Sequence, residues 1–145
     1  MKIVTWNVNS IRARLDNVLE WLKDGQPDIV LLQELKCEEG AFPRGPIEDL
    51  GYNIAIAGQK TYNGVAILAK SPIEDVTRGL PTFQEDDHSR YIEAVVGTTR
   101  VASVYVPNGQ AVGSDKYQYK LIFLERLRQH LASILFFAGS DCDWR

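Results

Sequence analysis

The sequence predicts an α/β (α+β) fold in which one mixed β-sheet is flanked by helices. Three observations support this. Two apolar segments near the start are joined by an amphipathic segment with helical periodicity. Two later pairs of apolar segments are separated only by short glycine-containing loops, and a long amphipathic helix follows them. Strands joined by a helix are parallel and strands joined by short loops are antiparallel, so the sheet is expected to contain both kinds of pairing.

The first part of the chain reads as a β-α-β unit. Residues 2–8 form an apolar strand, and residues 15–23 place Leu15, Val18, Leu19 and Leu22 on one helical face. Gly25 and Pro27 then stop the helix. Residues 28–34 are nearly all apolar, which is typical of a strand covered on both faces.

The middle of the chain is predicted to form two antiparallel hairpins. Residues 52–57 pair with residues 64–70, and residues 91–96 pair with residues 101–106 across a turn at residues 97–100. A short helical segment is expected near residues 47–50, and residues 79–89 are expected to form an exposed loop. These connections exclude a doubly wound nucleotide-binding fold.

The last clear element is a helix that begins near Ser114. Apolar residues recur from Tyr117 to Ile134 at helical spacing. Ser114 is the expected N-cap, with Asp115 in the first turn.

Composition and charge narrow the class of protein. The 145 residues are 45% hydrophobic and 24% charged, as in an average globular domain. A net charge of −3 disfavours a pure nucleic-acid-binding module but is acceptable for an enzyme that recruits a divalent cation. No signal peptide or membrane span is evident, and Cys37 and Cys142 lack the spacing of a metal or disulfide framework. We therefore expect a cytoplasmic protein with no membrane partner.

Two polar side chains follow the two strands that are expected to be parallel. Asn7 ends the first strand and Glu34 ends the second. Ligands bind at the carboxyl edge of such sheets, and neighbouring strands lie about 4.8 Å apart. A carboxylate and an amide oxygen suit Mg²⁺ or Mn²⁺. The competing interpretation is that Glu34 is solvated at its strand end and that Asn7 only turns the chain.

A tyrosine follows another apolar strand. The Tyr105 hydroxyl has the chemistry to stabilise charge on a phosphate, although residues 107–109 also read as an ordinary turn. Tyr62 lies in a glycine-containing loop and has either a contact to a sugar or base or a packing role. Arg90 follows an acidic run that reads as a solvated surface.

Together these segments resemble the exonuclease III family of AP endonucleases, within the DNase I-like phosphodiesterase superfamily. The matching pieces, in the family's order, are KIVTWNVNSIRAR, DIVLLQELK, TYNGVAIL, SRYIEA, VYVPNG and KYQYKLIFLERL. The resemblance covers residues 1 to about 130. The VNSIRAR segment speaks against the small-phosphoester phosphatases of the superfamily, a reading that a substrate screen would test.

The resemblance implies a function and a set of site residues. Glu34 becomes the main metal ligand with Asn7 beside it, and Tyr105 becomes the catalytic tyrosine at the scissile phosphate. A DNA-contacting or supporting role falls to four further residues: Asn9, Tyr62, Arg90 and Asn108. The implied reaction is Mg²⁺- or Mn²⁺-dependent hydrolysis of double-stranded DNA on the 5′ side of abasic sites, with 3′→5′ exonuclease or 3′-phosphatase activity.

The resemblance also implies a four-layer α/β sandwich, of which this chain covers about half. The family's remaining catalytic groups come from its second half, in a Gly-Asp-x-Asn segment, a later Asp and a terminal Ser-Asp-His. We therefore assign residues 1–133 to the N-terminal half of the domain and residues 134–145 to an atypical tail, as a frameshift or truncation would leave. The alternative is that Asp141 and Asp143 stand in for the Gly-Asp-x-Asn segment.

Half of such a sandwich is expected to have one sheet with an unpaired apolar face. We therefore expect self-association, pairing with a second fragment, or poor stability. Catalytic activity of this chain is expected to be impaired. The alternative function is a non-catalytic fragment that binds nucleic acid weakly or assembles with another chain.

Overall fold

A computed structural model describes the backbone of residues 1–141 and the side chains of residues 1–135. The chain divides into two compact units. The first unit contains Met1–Gly79 and Asp87–Tyr105. The second unit contains Leu80–Asp86 and the chain from Val106 onward.

The elements follow one another in the predicted order, with one additional strand. The strands are β1 (Ile3–Asn7), β2 (Ile29–Gln33), β3 (Asn53–Ala57), β4 (Val65–Ala69), β5 (Ile73–Arg78), β6 (Tyr91–Val96) and β7 (Thr99–Val104). The helices are α1 (Leu15–Gly25), α2 (Arg44–Asp49) and α3 (Asp115–Asp141). Two short 3₁₀ turns span Glu39–Ala41 and Pro81–Phe83.

The β-α-β unit at the start of the chain is confirmed. β1 and β2 pair in parallel, with Asn7 opposite Gln33 at the carboxyl edge. The antiparallel hairpin of β3 and β4 joins the other side of β2, which gives the strand order β1-β2-β4-β3. This first sheet is mixed, as predicted.

The predicted single sheet is wrong in one respect, because the strands form two sheets. β5, β6 and β7 make a separate antiparallel sheet in that order. The second predicted hairpin is present, but it pairs with β5 and not with the first sheet. β5 carries a charged sequence, IEDVTR, and is only partly buried, so it lacks the apolar pattern that marks the other strands.

Two apolar cores hold the first unit together. On one face of the first sheet, Val18 and Leu22 of α1 and Ile47 of α2 pack against Val30 and Leu32 of β2. The second core lies between the sheets. It contains residues of both: Ile29, Ala55, Ala57, Val65, Ile67, Ala69, Ile92, Ala94, Val96 and Val101. Helices, first sheet and second sheet therefore form three layers.

The expectation of an unpaired apolar sheet face is also wrong for most of the first sheet. Every residue of β4 is buried, because helices cover one face of the sheet and β6 and β7 cover the other. β1 is the exception: it is an edge strand, its alternate residues are exposed, and Ile3 is 45% exposed.

The second unit is organised around α3. The Ser114 hydroxyl caps this helix by accepting a hydrogen bond from the Tyr117 backbone N–H at 3.2 Å, as predicted. The 3₁₀ turn is fastened to α3 where the Thr82 hydroxyl donates to the Arg126 carbonyl at 2.6 Å. Leu80 and Phe83 are buried, so the predicted exposed loop at residues 79–89 is partly a packed segment.

The predicted boundary between the domain and the tail, at residue 133, stays a prediction. α3 continues to Asp141, and Asp143 lies outside the described residues. The alternative in which Asp141 and Asp143 take the place of the Gly-Asp-x-Asn segment therefore stays a prediction. In the part of the chain that the structure describes, no helix is long and apolar enough to cross a membrane.

Candidate active site

The two strand ends that carry Asn7 and Glu34 are bonded to each other beyond the sheet. The backbone N–H groups of Val8, Ser10 and Ile11 donate to the carbonyls of Gln33, Glu34 and Leu35 at 3.0, 2.8 and 3.2 Å. The loop after β1 thus runs alongside the chain after β2. The predicted juxtaposition of the two strand ends is therefore present.

Side chains tighten the loop after β1. The Asn7 side-chain oxygen accepts a hydrogen bond from the Asn9 backbone N–H at 3.1 Å. The Asn9 side-chain oxygen accepts one from the Lys36 ammonium group at 2.6 Å. Asn9 and Ser10 have positive φ angles of 46° and 87°, so the chain turns sharply here. The Lys36 ammonium group, which follows Glu34 by two positions in the chain, therefore lies beside Asn9.

Glu34 has a backbone conformation that redirects its side chain. Its φ angle is 57°, in the left-handed region that a residue without glycine's freedom seldom adopts. Successive side chains of a strand point to opposite faces, but Gln33 and Glu34 both contact β7 and the residue after it. Gln33 bonds to Ser103 at 3.0 Å. The Tyr105 hydroxyl donates to a carboxylate oxygen of Glu34.

The contact between Tyr105 and Glu34 changes the acidity of the phenol. Burial raises the pKa of Tyr105 above its ordinary value, and the hydrogen bond to Glu34 and the negative charge of that carboxylate raise it further. Arg90 opposes these effects. The phenol is therefore protonated at neutral pH, and its one O–H donates to the Glu34 carboxylate.

Arg90 holds the tyrosine from the other side. Its guanidinium carbon lies 4.9 Å from the centre of the Tyr105 ring. Its Nη1 donates to the Tyr105 carbonyl at 3.3 Å, and the Tyr105 backbone N–H donates to the Arg90 carbonyl at 2.8 Å. The contact with the ring is a cation–π interaction. Arg90 therefore orients Tyr105 beside Glu34.

The loop that carries Tyr62 is fixed to the chain that follows Glu34. The carbonyls of Asn63 and Gly64 accept hydrogen bonds from the backbone N–H groups of Lys36 and Leu35 at 2.9 and 3.2 Å. Tyr62 itself is 68% exposed. The alternative in which Tyr62 packs into the protein is therefore wrong, and its ring is accessible to a ligand.

The remaining predicted residue, Asn108, belongs to the second unit. It is exposed, and its side-chain oxygen accepts a hydrogen bond from the Gln110 backbone N–H at 3.0 Å. This is the turn that the sequence indicated. Five of the other predicted residues are brought together in the first unit: Asn7, Asn9, Glu34, Arg90 and Tyr105.

The donor set of this site fits a hard divalent cation that keeps most of its water. Glu34 supplies a carboxylate directly after β2, and Asn7 supplies an amide oxygen at the end of β1, where it pairs with Gln33. Among the residues that the structure describes, no three His, Cys, Asp or Glu side chains form a metal-binding group. Mg²⁺ is commonly held by one or two carboxylates together with water and phosphate, so a single carboxylate is sufficient for such a site.

Two buried residues of the site were not given a role from the sequence. Gln33 is 8% exposed and Ser103 is fully buried, and both lie next to the contact between Glu34 and Tyr105. Ser103 lies in β7 and Tyr105 directly follows this strand, two positions later, so the alternation of side chains would have placed the two on the same face. Its contact with Gln33, however, depends on how the sheets stack.

Comparison with known proteins identifies the family of this chain. Residues 4–140 match the Endonuclease/Exonuclease/phosphatase family. Exodeoxyribonuclease III of Haemophilus influenzae is 36% identical over 136 residues, which cover 90% of this chain and 51% of that protein.

Solved structures give the same result. An AP endonuclease from Archaeoglobus fulgidus is 45% identical with a TM-score of 0.87, covering 90% of this chain and 51% of that one. A 3′ phosphatase from Neisseria bound to a product DNA hairpin is 43% identical with a TM-score of 0.91, covering 94% and 53%.

The chain spans about half the length of the curated relatives it matches. The predicted resemblance to the exonuclease III family and the α/β sandwich fold are confirmed by these matches. The chain belongs to the endonuclease/exonuclease/phosphatase family.

Proposed function

We propose that this chain supplies the metal-binding half of a DNA-repair phosphodiesterase, which cleaves double-stranded DNA on the 5′ side of abasic sites. The observation that carries the proposal is the contact of the Tyr105 hydroxyl with the Glu34 carboxylate at the carboxyl edge of the first sheet. It pairs an acidic metal ligand with a phosphate-binding donor. Relatives named as an exodeoxyribonuclease III and an AP endonuclease support the same substrate class.

Glu34 and Asn7 are the residues that would hold Mg²⁺ or Mn²⁺. When bound, the cation supplies positive charge against the phosphate and its developing negative charge. The strand ends are already tied together by backbone hydrogen bonds. The backbone that carries the two ligands is therefore already held in place before the cation binds.

Tyr105 would bind the phosphate through its hydroxyl. The phenol has one O–H, which donates to Glu34 in this structure. With a cation and a phosphate in place, that O–H would instead donate to a non-bridging oxygen and stabilise charge there. Arg90 holds the ring in place through its contact at 4.9 Å. Replacing Tyr105 by Phe would remove the donor and leave the ring contact with Arg90 intact.

DNA contacts would come from the exposed residues around this edge. Asn9 and the 68% exposed Tyr62 lie on loops bonded to the chain after Glu34. A tyrosine ring can stack on a base or sugar that leaves the helix. Asn108, an exposed residue of the second unit, is a separate candidate for a DNA contact.

Turnover by this chain alone is expected to be impaired. The family resemblance places the groups that activate the attacking water in a second half, and hydrolysis needs such a base. Metal binding and turnover are therefore separate tests.

The experiment compares wild type with Glu34→Gln and with Glu38→Gln, an exposed glutamate on the following loop. Mn²⁺ affinity is measured by electron paramagnetic resonance, and cleavage is measured on a duplex with a single abasic site in Mg²⁺. Glu34→Gln is expected to weaken Mn²⁺ binding at least about tenfold, equivalent to about 1.4 kcal/mol. Glu38→Gln is expected to bind like wild type.

Two results would contradict the proposal in different ways. Equal Mn²⁺ affinity in wild type and Glu34→Gln would remove Glu34 as the metal ligand. Rapid cleavage that depends on Glu34 would show that the chain has a complete catalytic site.

The second candidate function is a non-catalytic fragment that binds nucleic acid or assembles with another chain. It is favoured by β1, an edge strand whose Ile3, Thr5 and Asn7 are exposed. Edge strands offer unpaired backbone groups to another strand. Light scattering would test this: a concentration-independent monomer would argue against assembly through β1, and salt-dependent DNA binding without cleavage would favour the binding role.

A further inference from the structure

A small polar cluster links the two sheets next to the contact between Glu34 and Tyr105. The Gln33 amide Nε2 donates to Ser103 Oγ at 3.0 Å and to Thr5 Oγ1 at 2.9 Å. It also lies 3.0 Å from the Leu31 carbonyl. The Ser103 hydroxyl donates in turn to the Leu32 carbonyl at 2.7 Å. Ser103 is fully buried, and Gln33 is 8% exposed.

The cluster and the contact between Glu34 and Tyr105 are neighbouring links between the same two segments. Ser103 and Tyr105 are two positions apart on one face of the chain that forms β7. Gln33 and Glu34 are consecutive. Gln33 faces Ser103 of β7, and the positive φ angle of Glu34 brings its side chain to Tyr105, the residue after β7. The link between Gln33 and Ser103 is buried, and the link between Glu34 and Tyr105 is at the partly exposed edge.

The position of β7 along β2 is not set by backbone pairing. β2 and β7 belong to different sheets, so no backbone ladder connects them. Apolar packing between sheets sets a spacing of about 10 Å but does not fix the position along the strands. Hydrogen bonds have a defined length and direction. The Ser103 bonds therefore help to fix β7 along β2, as the bond from Arg78 Nε to the Ile56 carbonyl does between β5 and β3.

We propose that Ser103, through its hydrogen bonds to the Leu32 carbonyl and the Gln33 amide, is a positioning residue that keeps the Tyr105 hydroxyl on the Glu34 carboxylate. This inference rests on the proposed function, because it assigns a role to Ser103 in the site that Glu34 and Tyr105 form. Ser103 is not expected to touch metal or substrate. It acts through Glu34 and Tyr105.

Thr5 provides a matched control within the same cluster. Its hydroxyl accepts a hydrogen bond from the same Gln33 amide at 2.9 Å, but β1 and β2 are already paired in one sheet. Thr5→Val keeps the branched shape and removes this bond without touching the link between sheets. Ser103→Ala removes the link between sheets and leaves the bond to Thr5.

The experiment follows Tyr105 at neutral pH in the protein labelled with ¹³C at the Cζ atom of its tyrosines. Tyr105→Phe identifies the Tyr105 signal among the six tyrosines. Glu34→Ala gives its position when the contact is absent. Ser103→Ala is expected to move the signal at least half of the way to the Glu34→Ala position, and Thr5→Val is expected to leave it in place. Gln33→Met, similar in size but without the donor, is expected to move it in the same direction.

A Tyr105 signal that stays in place in both Ser103→Ala and Gln33→Met, with both proteins folded by circular dichroism, would overturn the inference. Equal movement in Thr5→Val would also overturn it, because it would show general loosening of the cluster. If Ser103→Ala does not fold, Gln33→Met decides the result.

Mn²⁺ affinity of the same variants separates this inference from the proposed function. Ser103→Ala is expected to bind Mn²⁺ about threefold more weakly than Thr5→Val, and Glu34→Ala at least tenfold more weakly than wild type. If Glu34→Ala binds Mn²⁺ like wild type, the metal-binding function fails, while the Tyr105 signal still reports whether Ser103 positions the pair.

Discussion

Glu34 and Glu93 are both bonded to a tyrosine hydroxyl, but their surroundings differ. Glu93 lies in β6, is 2% exposed, and accepts hydrogen bonds from Tyr91 at 3.0 Å and from Arg100 at 2.7 Å. Glu34 lies at a strand end, is partly exposed, and has Tyr105 as its donor. Among the described residues, no ion pair joins Glu34 to a cation, whereas Arg100 pairs with Glu93.

The difference indicates what each carboxylate does. A buried carboxylate with its own arginine is neutralised within the fold, and its removal leaves unpaired groups in a place that water does not reach. A carboxylate at a solvent-facing edge without a protein cation can take its positive charge from a metal ion. Glu93 is therefore expected to serve stability and Glu34 to serve binding.

The largest expected effect tests this division of roles. Glu93→Gln removes the charge that pairs with Arg100, and we expect a loss of about 3 kcal/mol in the free energy of unfolding. The loss lies at the low end for buried pairs because the Arg100 side chain is 41% exposed. Glu34→Gln is expected to cost less than about 1 kcal/mol, because the amide oxygen still accepts the Tyr105 hydrogen bond. Urea unfolding measures both, and equal losses would refute the division.

A smaller effect is expected at the backbone that supports Glu34. Gly64 has a φ angle of +96°, and a Cβ atom there would lie 2.9 Å from the Leu35 Cβ. Gly64→Ala should therefore cost about 2–3 kcal/mol through strain and overlap, and it should weaken Mn²⁺ binding because Leu35 follows Glu34.

Gly79 is the control for that substitution. Its φ angle is +80°, but nothing lies within 4 Å of the added atom, so Gly79→Ala should cost about 1 kcal/mol with unchanged Mn²⁺ affinity. Urea unfolding and electron paramagnetic resonance measure the two properties. A smaller loss in Gly64→Ala than in Gly79→Ala would show that the chain after Glu34 can move freely.

The smallest effect is a pH dependence that both tyrosines share. Burial and the negative charge of Glu93 raise the pKa of Tyr91, and burial and the hydrogen bond to Glu34 raise that of Tyr105. A group whose pKa is higher in the folded state stabilises fully below the unfolded pKa of about 10, and this contribution is lost as the pH rises through the folded pKa.

The free energy of unfolding should therefore fall above pH 10, by up to about 1.4 kcal/mol per pH unit for each tyrosine. Tyr91→Phe should flatten this fall more than Tyr105→Phe, because the pKa of Tyr91 is raised further. Urea unfolding between pH 8 and pH 11 measures the slope. An unchanged slope in Tyr91→Phe would contradict the raised pKa of Tyr91.

The same two glutamates show which features of a carboxylate's surroundings a sequence pattern can predict. Glu34 follows an apolar strand directly, and its role as a candidate ligand follows from that position. Glu93 lies in a strand of otherwise apolar residues, YIEAVV, and that segment contains no partner for its charge. The partner is Arg100 of β7, which pairs across the sheet with Val95, two positions after Glu93. The cross-strand partner of a buried charge depends on register, which a single strand does not specify.

The sequence alone determined the β-α-β unit, the two hairpins, the N-cap of α3 and the position of Asn7, Glu34 and Tyr105 at the ends of their strands. These features depend on periodicity, turn residues and capping, which act over a few positions. Tertiary structure decided that β5 to β7 form a second sheet, that Glu34 turns onto Tyr105, and that Ser103 bonds to Gln33. Residues 34 and 105 are 71 positions apart. Their contact exists because apolar faces of two sheets stack, and stacking depends on the surface of the whole sheet and not on any local pattern.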